Sequence, residues 1–325
     1  MCTAVVYRNG KTYCGRNLDN SCSYGEEIVV MPRNFPLRFR HADEMKHHHA
    51  IVGTASVMKG VPLYYDAMNE EGVWAAGLNF VGNAIYSKAS GASGEVAHFE
   101  FIPWILSQCS DIEQVRGLLK KLTIVDTPFD TDVPPAQLHW IVADRSGASI
   151  TVESVADGLR VYDNPAGVLT NNPPFPMQLS GLGRYMALSS KEPENLMAPR
   201  IPLSSSSYGT GAIGLPGDLS SESRFVRAVF VKENSAVTDS EEESIGQFFH
   251  ILDSVAFPQG CCDLGNGLYE KTIYSSCCSL ENGIYYYTTY ENRQITAVDM
   301  SREDMENTQL ARFAMERKQR IFFRN

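Results

Sequence analysis

The opening nineteen residues, MCTAVVYRNGKTYCGRNLD, constrain the fold more than any other stretch. Thr3-Ala4-Val5-Val6-Tyr7 is a β-branched and aromatic run that reads as a buried strand. Asn9-Gly10 is a hairpin signal, and Thr12-Tyr13-Cys14-Gly15 runs back as the partner strand. That return brings Arg16, Asn17 and Asp19 to the level of Cys2. Two registers are open. A two-residue turn pairs Cys2 with Asn17 and puts Arg16 on the opposite face. A three-residue turn, Arg8-Asn9-Gly10, with Gly10 left-handed in a bulge, pairs Cys2 with Arg16 instead. Residue types do not choose between them, although thiolate chemistry at Cys2 prefers a guanidinium beside the sulfur.

Cys2 directly follows Met1, and its side chain is small enough for routine Met1 removal. The chain then begins with a residue carrying both a thiol and a free α-amine, groups that titrate within about two units of pH 7. Such an amine can act as base to its own nucleophile, a known variant of triad logic. Asp19, just past the strand, can accept a hydrogen bond from the α-ammonium and hold it in place.

With 325 residues the chain can bury a substantial core, and its formal charge of −10 with no basic stripe argues against a nucleic-acid partner. No apolar run is long enough to span a bilayer, and the N-terminus lacks a basic region followed by an apolar stretch, so a cytoplasmic, membrane-free protein is expected. The eight cysteines include the vicinal pairs Cys261-Cys262 and Cys277-Cys278 and no CxxC spacing. They are expected to be buried thiols acting as small apolar residues rather than a metal or redox site. His47-His48-His49 cannot all face one metal from a regular element and read as a solvated loop.

Further along, 61–68 and 73–80 read as strands around a loop ending in Gly72. Phe99 to Cys109 is apolar nearly all round and predicts a buried helix. Ser110-Asp111-Ile112-Glu113 is a capping-box pattern ahead of Ile112, Val115, Leu118, Leu119 and Leu122 at helical spacing. His139 to Asp144, Ser149 to Ser154, 159–162 and 167–170 add strands, the last running into Asn171-Asn172-Pro173-Pro174. Two asparagines at a strand end before proline can be turn chemistry, and can equally donate side-chain N–H bonds to a developing oxyanion. His139 reads as a core or sheet-edge histidine rather than a base. Leu179 to Ser190, the segment after Ser220-Ser221-Glu222-Ser223, and Glu243 to Ala256 predict helices. Arg224 falls in the first turn of the second of these, unfavourably for the helix dipole, which suggests pairing with an anion. Strands at 271–274, 284–290 and 294–298 follow. Strands at both ends and helices in two central groups suggest two packed sheets with helices outside.

MCTA, GRNLD, AGLNF, LTNNP and GDLSSESRFVR occur here in the order seen in the choloylglycine hydrolases. The chain resembles that family, which contains bile salt hydrolases and penicillin V acylases and belongs to the N-terminal nucleophile hydrolases. The resemblance covers essentially the whole chain, read as a single domain, 1–325. It implies an α+β fold, a four-layer αββα sandwich of two antiparallel sheets between helix layers. It also implies roles: Cys2 as nucleophile, Arg16 and Asp19 positioning and polarising it, Asn79 and Asn171 as oxyanion hole, and Arg224 completing the charged network. A homotetramer with no metal or organic cofactor is implied as well. Asn79 in LNF, where penicillin V acylases tend to carry tyrosine, and the EKTIYSSCC and GIYYYTTYEN stretches are similar to bile salt hydrolases of Gram-positive gut bacteria. The implied substrate is a glycine- or taurine-conjugated bile acid, an amphipathic anion needing an apolar pocket with a polar rim. Met31, Phe35, Ile51 and Phe129 are the expected lining, and the loop from Tyr208 to Gly211 resembles a site that tunes tail preference. Two alternatives stand beside this: another N-acyl amide such as penicillin V as substrate, or a non-catalytic binder of amphipathic anions that keeps Met1.

Overall fold

The computed structural model describes residues 1–237 and 239–325. Its opening hairpin joins strands Cys2–Asn9 and Lys11–Asn20 in a register that matches neither expectation. Asn9 pairs with Lys11, Ala4 with Arg16 and Cys2 with Leu18. Gly10 alone turns the chain, at φ +68° with open space where a Cβ would stand. The left-handed Gly10 is therefore present, but the bulge pairing Cys2 with Arg16 is not. A two-residue slip keeps the side-chain face, so Arg16, diagonal to Cys2, still points to the cysteine's side.

That hairpin lies inside a six-stranded antiparallel sheet in the order Val168–Leu169, Cys2–Asn9, Lys11–Asn20, Lys271–Ser279, Ile284–Thr289 and Thr296–Asp299. An eight-stranded antiparallel sheet runs Gly158–Asp163, Ser149–Val155, Leu138–Ala143, Trp74–Asn79, Val61–Asn69, Ile51–Met58, Glu27–Met31 and Ala311–Ala314. Strand alternation sorts the side chains into two cores. Ile28, Val30, Val52, Met68, Ala76 and Leu78 join the cluster that contains Cys2, Ala4 and Val6. Their neighbours Val29, Met31, Ile51 and Ala75 join Phe101, Ile105 and Val115 in the other.

Helices Phe101–Leu106 and Ile112–Leu119 thus cover the outer face of the larger sheet. Helices Phe175–Gly181, Ser221–Glu233 and Glu241–Asp253 cover the smaller one, and Asn17 Nδ2 reaches their layer at the Leu252 carbonyl, 2.9 Å. This is the four-layer αββα sandwich. Within the smaller sheet the strands Lys11–Asn20 and Lys271–Ser279 meet closely where glycine allows it: a Cβ on Gly15 would stand 1.9 Å from the Ser276 carbonyl oxygen.

Local differences have local causes. Asp111, not Ser110, caps the helix Ile112–Leu119, accepting from the Gln114 N–H at 2.8 Å. The apolar 99–109 segment supplies only six α-helical residues after a 3₁₀ turn at His98–Glu100. The helix expected from Leu179 begins instead at Phe175, behind Pro174 and with Pro176 in its first turn, where a missing N–H costs nothing. It gives way after Gly181 to a 3₁₀ turn, Leu182–Tyr185. Cys277 and Cys278 are buried, but Cys261 is exposed and Cys262 half-buried, because that pair lies in a loop outside either core. Among the described residues no helix is long and apolar enough to cross a membrane.

Candidate active site

Cys2 is buried at the start of the first strand, and Arg16 Nη2 stands 2.5 Å from its Sγ. The guanidinium is held from behind: Nη1 donates to the main-chain oxygens of Tyr65 (3.0 Å) and Gly77 (2.5 Å) on the facing sheet. The Tyr65 carbonyl is aimed there by a bulge, since Thr54 pairs with Asp66 and Ala55 with Tyr64, leaving Tyr65 without a partner in the ladder. The same bulge leads into Asp66, a fully buried carboxylate that accepts hydroxyl bonds from Tyr274 (2.6 Å), Tyr285 (2.8 Å) and Ser276 (2.8 Å). Ser276 Oγ in turn accepts the Arg16 N–H at 3.1 Å. Burial pushes the Asp66 carboxyl above the usual range, opposed by Arg16 and the three hydroxyls. Burial alone would lower the Arg16 guanidinium, but the facing Cys2, Tyr274, Asp66 and Asp19 outweigh it and raise it, so Arg16 is a fixed cation.

Asp19 is buried, with Oδ1 accepting from Thr272 Oγ1 at 2.6 Å and Oδ2 meeting no donor among the described residues. Burial raises its carboxyl against the opposing pull of Arg224, the terminal ammonium, Thr272 and Arg16. The expectation for Asp19 concerns the α-ammonium of a chain that begins at Cys2, whereas with Met1 in place the terminal ammonium is that of Met1. The Met1 ammonium donates to the Asp19 main-chain oxygen (2.8 Å) and pairs with the buried Glu270 carboxylate. Burial lowers that amine, with Cys2 and Asp19 opposing.

Asn171 ties the cysteine to the second half of the site. Its Oδ1 accepts from the Cys2 N–H (3.0 Å) and from Arg224 Nη2 (2.7 Å), and its Nδ2 donates to the Asn79 main-chain oxygen (2.8 Å). One hydrogen of that amide remains to be directed elsewhere. Asn79 ends the strand Trp74–Asn79 with its side chain exposed beside this group. Arg224 is wholly buried in the first turn of Ser221–Glu233 and donates through Nη1 to the Cys2 carbonyl and Thr3 Oγ1, both at 2.6 Å. The anion expected beside it is thus replaced by neutral oxygens as direct partners. Burial lowers its guanidinium, with Asp19 and Cys2 the leading opposing charges. Cys2, Arg16, Asp19, Asn171 and Arg224 therefore converge from four separate segments, with Asn79 on the rim. Sequence reasoning missed Asp66, Glu270, Thr272 and Ser276. Glu270 and Thr272 lie within the quoted EKTIYSSCC stretch, but nothing local marks them as site residues.

The expected apolar lining needs correction. Met31 and Ile51 are fully buried in the outer cluster, on the face of their sheet opposite the one that meets Cys2. Phe35 packs against that same outer cluster, and Phe129 is buried edge-on to Phe99 beneath the Arg40 guanidinium. The sequence marks these residues as apolar, but strand phase decides which core receives them. Tyr208 is 98% exposed, in a loop. Tyr24 and Val81 are exposed apolar side chains whose backbones are tied to neighbours of the site. The Tyr24 and Val81 carbonyls accept from Ser56 Oγ (3.3 Å) and Asn172 Nδ2 (2.8 Å), and Ser56 also meets the Tyr65 hydroxyl at 2.9 Å.

Residues 2–313 match a family model described as linear amide C–N hydrolases, choloylglycine hydrolase family. A bile salt hydrolase/transferase of Lactiplantibacillus plantarum is 46% identical over 315 residues, covering 97% of each chain. The crystal structure of the C2A mutant of the conjugated bile acid hydrolase from Clostridium perfringens superposes with a TM-score of 0.92 at 34% identity, covering 100% of both chains. The penicillin V acylase of Agrobacterium tumefaciens shares the fold, with a TM-score of 0.78 at 21% identity over 96% of this chain and 91% of the other.

Proposed function

The chain belongs to the choloylglycine hydrolase family of linear amide C–N hydrolases, and from that premise we propose that it cleaves the amide bond of glycine- or taurine-conjugated bile acids through a thioester on Cys2. The observation that carries this reading is the placement of Cys2 Sγ 2.5 Å from Arg16 while its backbone nitrogen lies 3.0 Å from Asn171 Oδ1. Once Met1 is removed, that nitrogen is an amine fixed beside its own thiol. Asp19 Oδ2, without a partner among the described residues, and the Glu270 carboxylate that Met1 vacates are then the carboxylates left near the new ammonium.

In the proposed reaction the Cys2 amine takes the thiol proton, and the thiolate attacks the amide carbon. The tetrahedral oxyanion accepts hydrogen bonds from Asn171 Nδ2 and Asn79. Collapse breaks the C–N bond, the ammonium returns its proton to the leaving glycine or taurine nitrogen, and a thioester remains on Cys2. The free amine then deprotonates a water that attacks the thioester, releasing the bile acid and restoring the thiol. Arg16 supplies a permanent positive charge beside the sulfur without being a proton carrier. Arg224 holds Asn171 and the Cys2 carbonyl in register. The exposed apolar Tyr24 and Val81 suit the steroid body of such a substrate.

We place the whole chain, 1–325, in one domain working in the cytoplasm as a homotetramer. The exposed Met186, Leu196, Met197, Tyr208 and Ile213 on one long excursion suit a covered surface. Size-exclusion chromatography with light scattering reads the assembly directly, and a monomer at micromolar concentration would overturn it.

The reaction is tested on purified chain with parallel assays on glycocholate, taurocholate and penicillin V, alongside intact mass and Cys2 alkylation. Release of glycine or taurine by a chain that has lost Met1 supports the reading. A chain that keeps Met1, or cleaves only penicillin V, overturns it.

A further inference from the structure

Among the described residues outside the catalytic group is a buried, hydrogen-bonded histidine–glutamate pair for which the reaction above has no use. His139 and Glu153 are both fully inaccessible, with Nδ1 3.1 Å from Glu153 Oε1. The imidazole touches the chain neighbours of both residues of the proposed oxyanion hole. Its ring stacks on Phe80, the residue after Asn79, with centroids 4.3 Å apart and planes within 5°. Its Nε2 lies 2.9 Å from the carbonyl oxygen of Thr170, the residue before Asn171. Glu153 Oε1 also accepts the Phe175 N–H at 2.9 Å, so the pair grips the 170–175 segment at both ends.

The protons on this pair are constrained. A carbonyl oxygen only accepts, so Nε2 carries a hydrogen. Nδ1 and Glu153 Oε1 then need one hydrogen between them, on the ring or on the carboxyl. Glu153 Oε2 has no partner among the described residues, so His139 and the Phe175 N–H, both at Oε1, are the partners that carboxyl has there. A surface-facing core histidine would need none of this, and a purely apolar ring could stack on Phe80 without holding Thr170.

We propose, resting on the hydrolase reading above, that His139 and Glu153 are positioning residues that set the spacing of Asn79 and Asn171. They act through Phe80 and the Thr170 carbonyl, and they touch neither substrate nor sulfur. Displacing a well-placed catalytic group by about 1 Å costs up to about 10²-fold in rate. The near-isosteric E153Q removes the shared hydrogen. With the glutamine oxygen kept on the Phe175 N–H, one ring contact becomes lone pair against lone pair in the neutral histidine.

The test compares the wild-type chain, E153Q and H139Q in steady-state hydrolysis of glycocholate, with the rate of Cys2 alkylation by iodoacetamide measured on each. We expect kcat of E153Q to fall about 10-fold to 100-fold, with KM and the alkylation rate each within about twofold of wild type. H139Q, which keeps a donor for Thr170 but loses the ring on Phe80, is expected to fall similarly and serves if E153Q does not fold. Unchanged kcat in a folded variant overturns the proposal. So does a change confined to KM, or alkylation falling in step with kcat, because either describes general damage rather than a misplaced oxyanion hole. A wild-type chain that releases no glycine overturns the hydrolase reading and this inference with it, whereas an active wild type with fully active variants overturns this inference alone.

Discussion

At the scale of single residues, what distinguishes Cys2 from the other cysteines is its company rather than its burial. Cys14, Cys277 and Cys278 are equally buried, and burial pushes all three thiols well above the ordinary range, whereas Cys2 alone sits against a fixed guanidinium. Replacing Cys2 by serine exchanges the sulfur for a hydroxyl, a far weaker nucleophile at neutral pH. Turnover of glycocholate should fall about 10³-fold or more, read from initial rates on protein whose circular dichroism is unchanged. Asn79 offers the complementary case because it is exposed and its side-chain amide supports no other described residue. Asn79→Ala should cost about 10²-fold to 10³-fold in kcat, while the melting temperature stays within a degree or so of wild type. A large drop in melting temperature would mean that Asn79 is structural.

At the scale of elements, the site depends on one irregularity. The bulge at Tyr65 turns its carbonyl toward Arg16 and places Asp66 between the sheets, where three hydroxyls and the guanidinium's charge compensate its burial. Asp66→Asn removes the negative charge and cannot accept all three hydroxyl bonds in the same way. Loss of about 3 kcal/mol of stability is expected from urea denaturation, with a lower kcat as Arg16 loosens. Stability within about 0.5 kcal/mol of wild type would show that the network is dispensable. The strands around this point were legible in their positions, since 61–68 and 73–80 both form. The bulge was not, because Tyr64-Tyr65-Asp66 carries no glycine or other local cue, and only pairing with Ile51–Met58 creates it.

At the scale of the whole molecule, burial of ionisable groups sets the pH response. His98 is buried against Tyr86, and burial lowers it from 6.5 to about 4. Between those values the unfolded chain binds a proton at this site that the folded chain refuses. Stability is therefore fully present above about pH 6.5 and falls as pH drops toward about 4, with a slope of up to about 1.4 kcal/mol per pH unit from this residue. His98→Gln, whose amide oxygen can still accept the Ala136 N–H that His98 Nε2 accepts at 3.1 Å, should flatten that slope in urea titrations between pH 7 and 4.5. An unchanged slope would assign the acid sensitivity to other groups.

The sequence by itself pointed to the chemistry proposed at the N-terminus, to many of the strands and helices though not Ile51–Met58 or Ala311–Ala314, to the left-handed Gly10 and to the order of motifs that implies an αββα sandwich. These are local or cumulative signals, written in side-chain size, alternation and turn residues. Tertiary structure alone decided the pairing of Cys2 with Leu18, the sorting of Met31 and Ile51 into the outer core, and the union of Asp19, Asn171, Arg224 and Glu270 around one sulfur. Register and sheet face depend on which strand lies opposite, across separations of up to about the length of the chain. A residue's own neighbours in sequence carry no record of that partner.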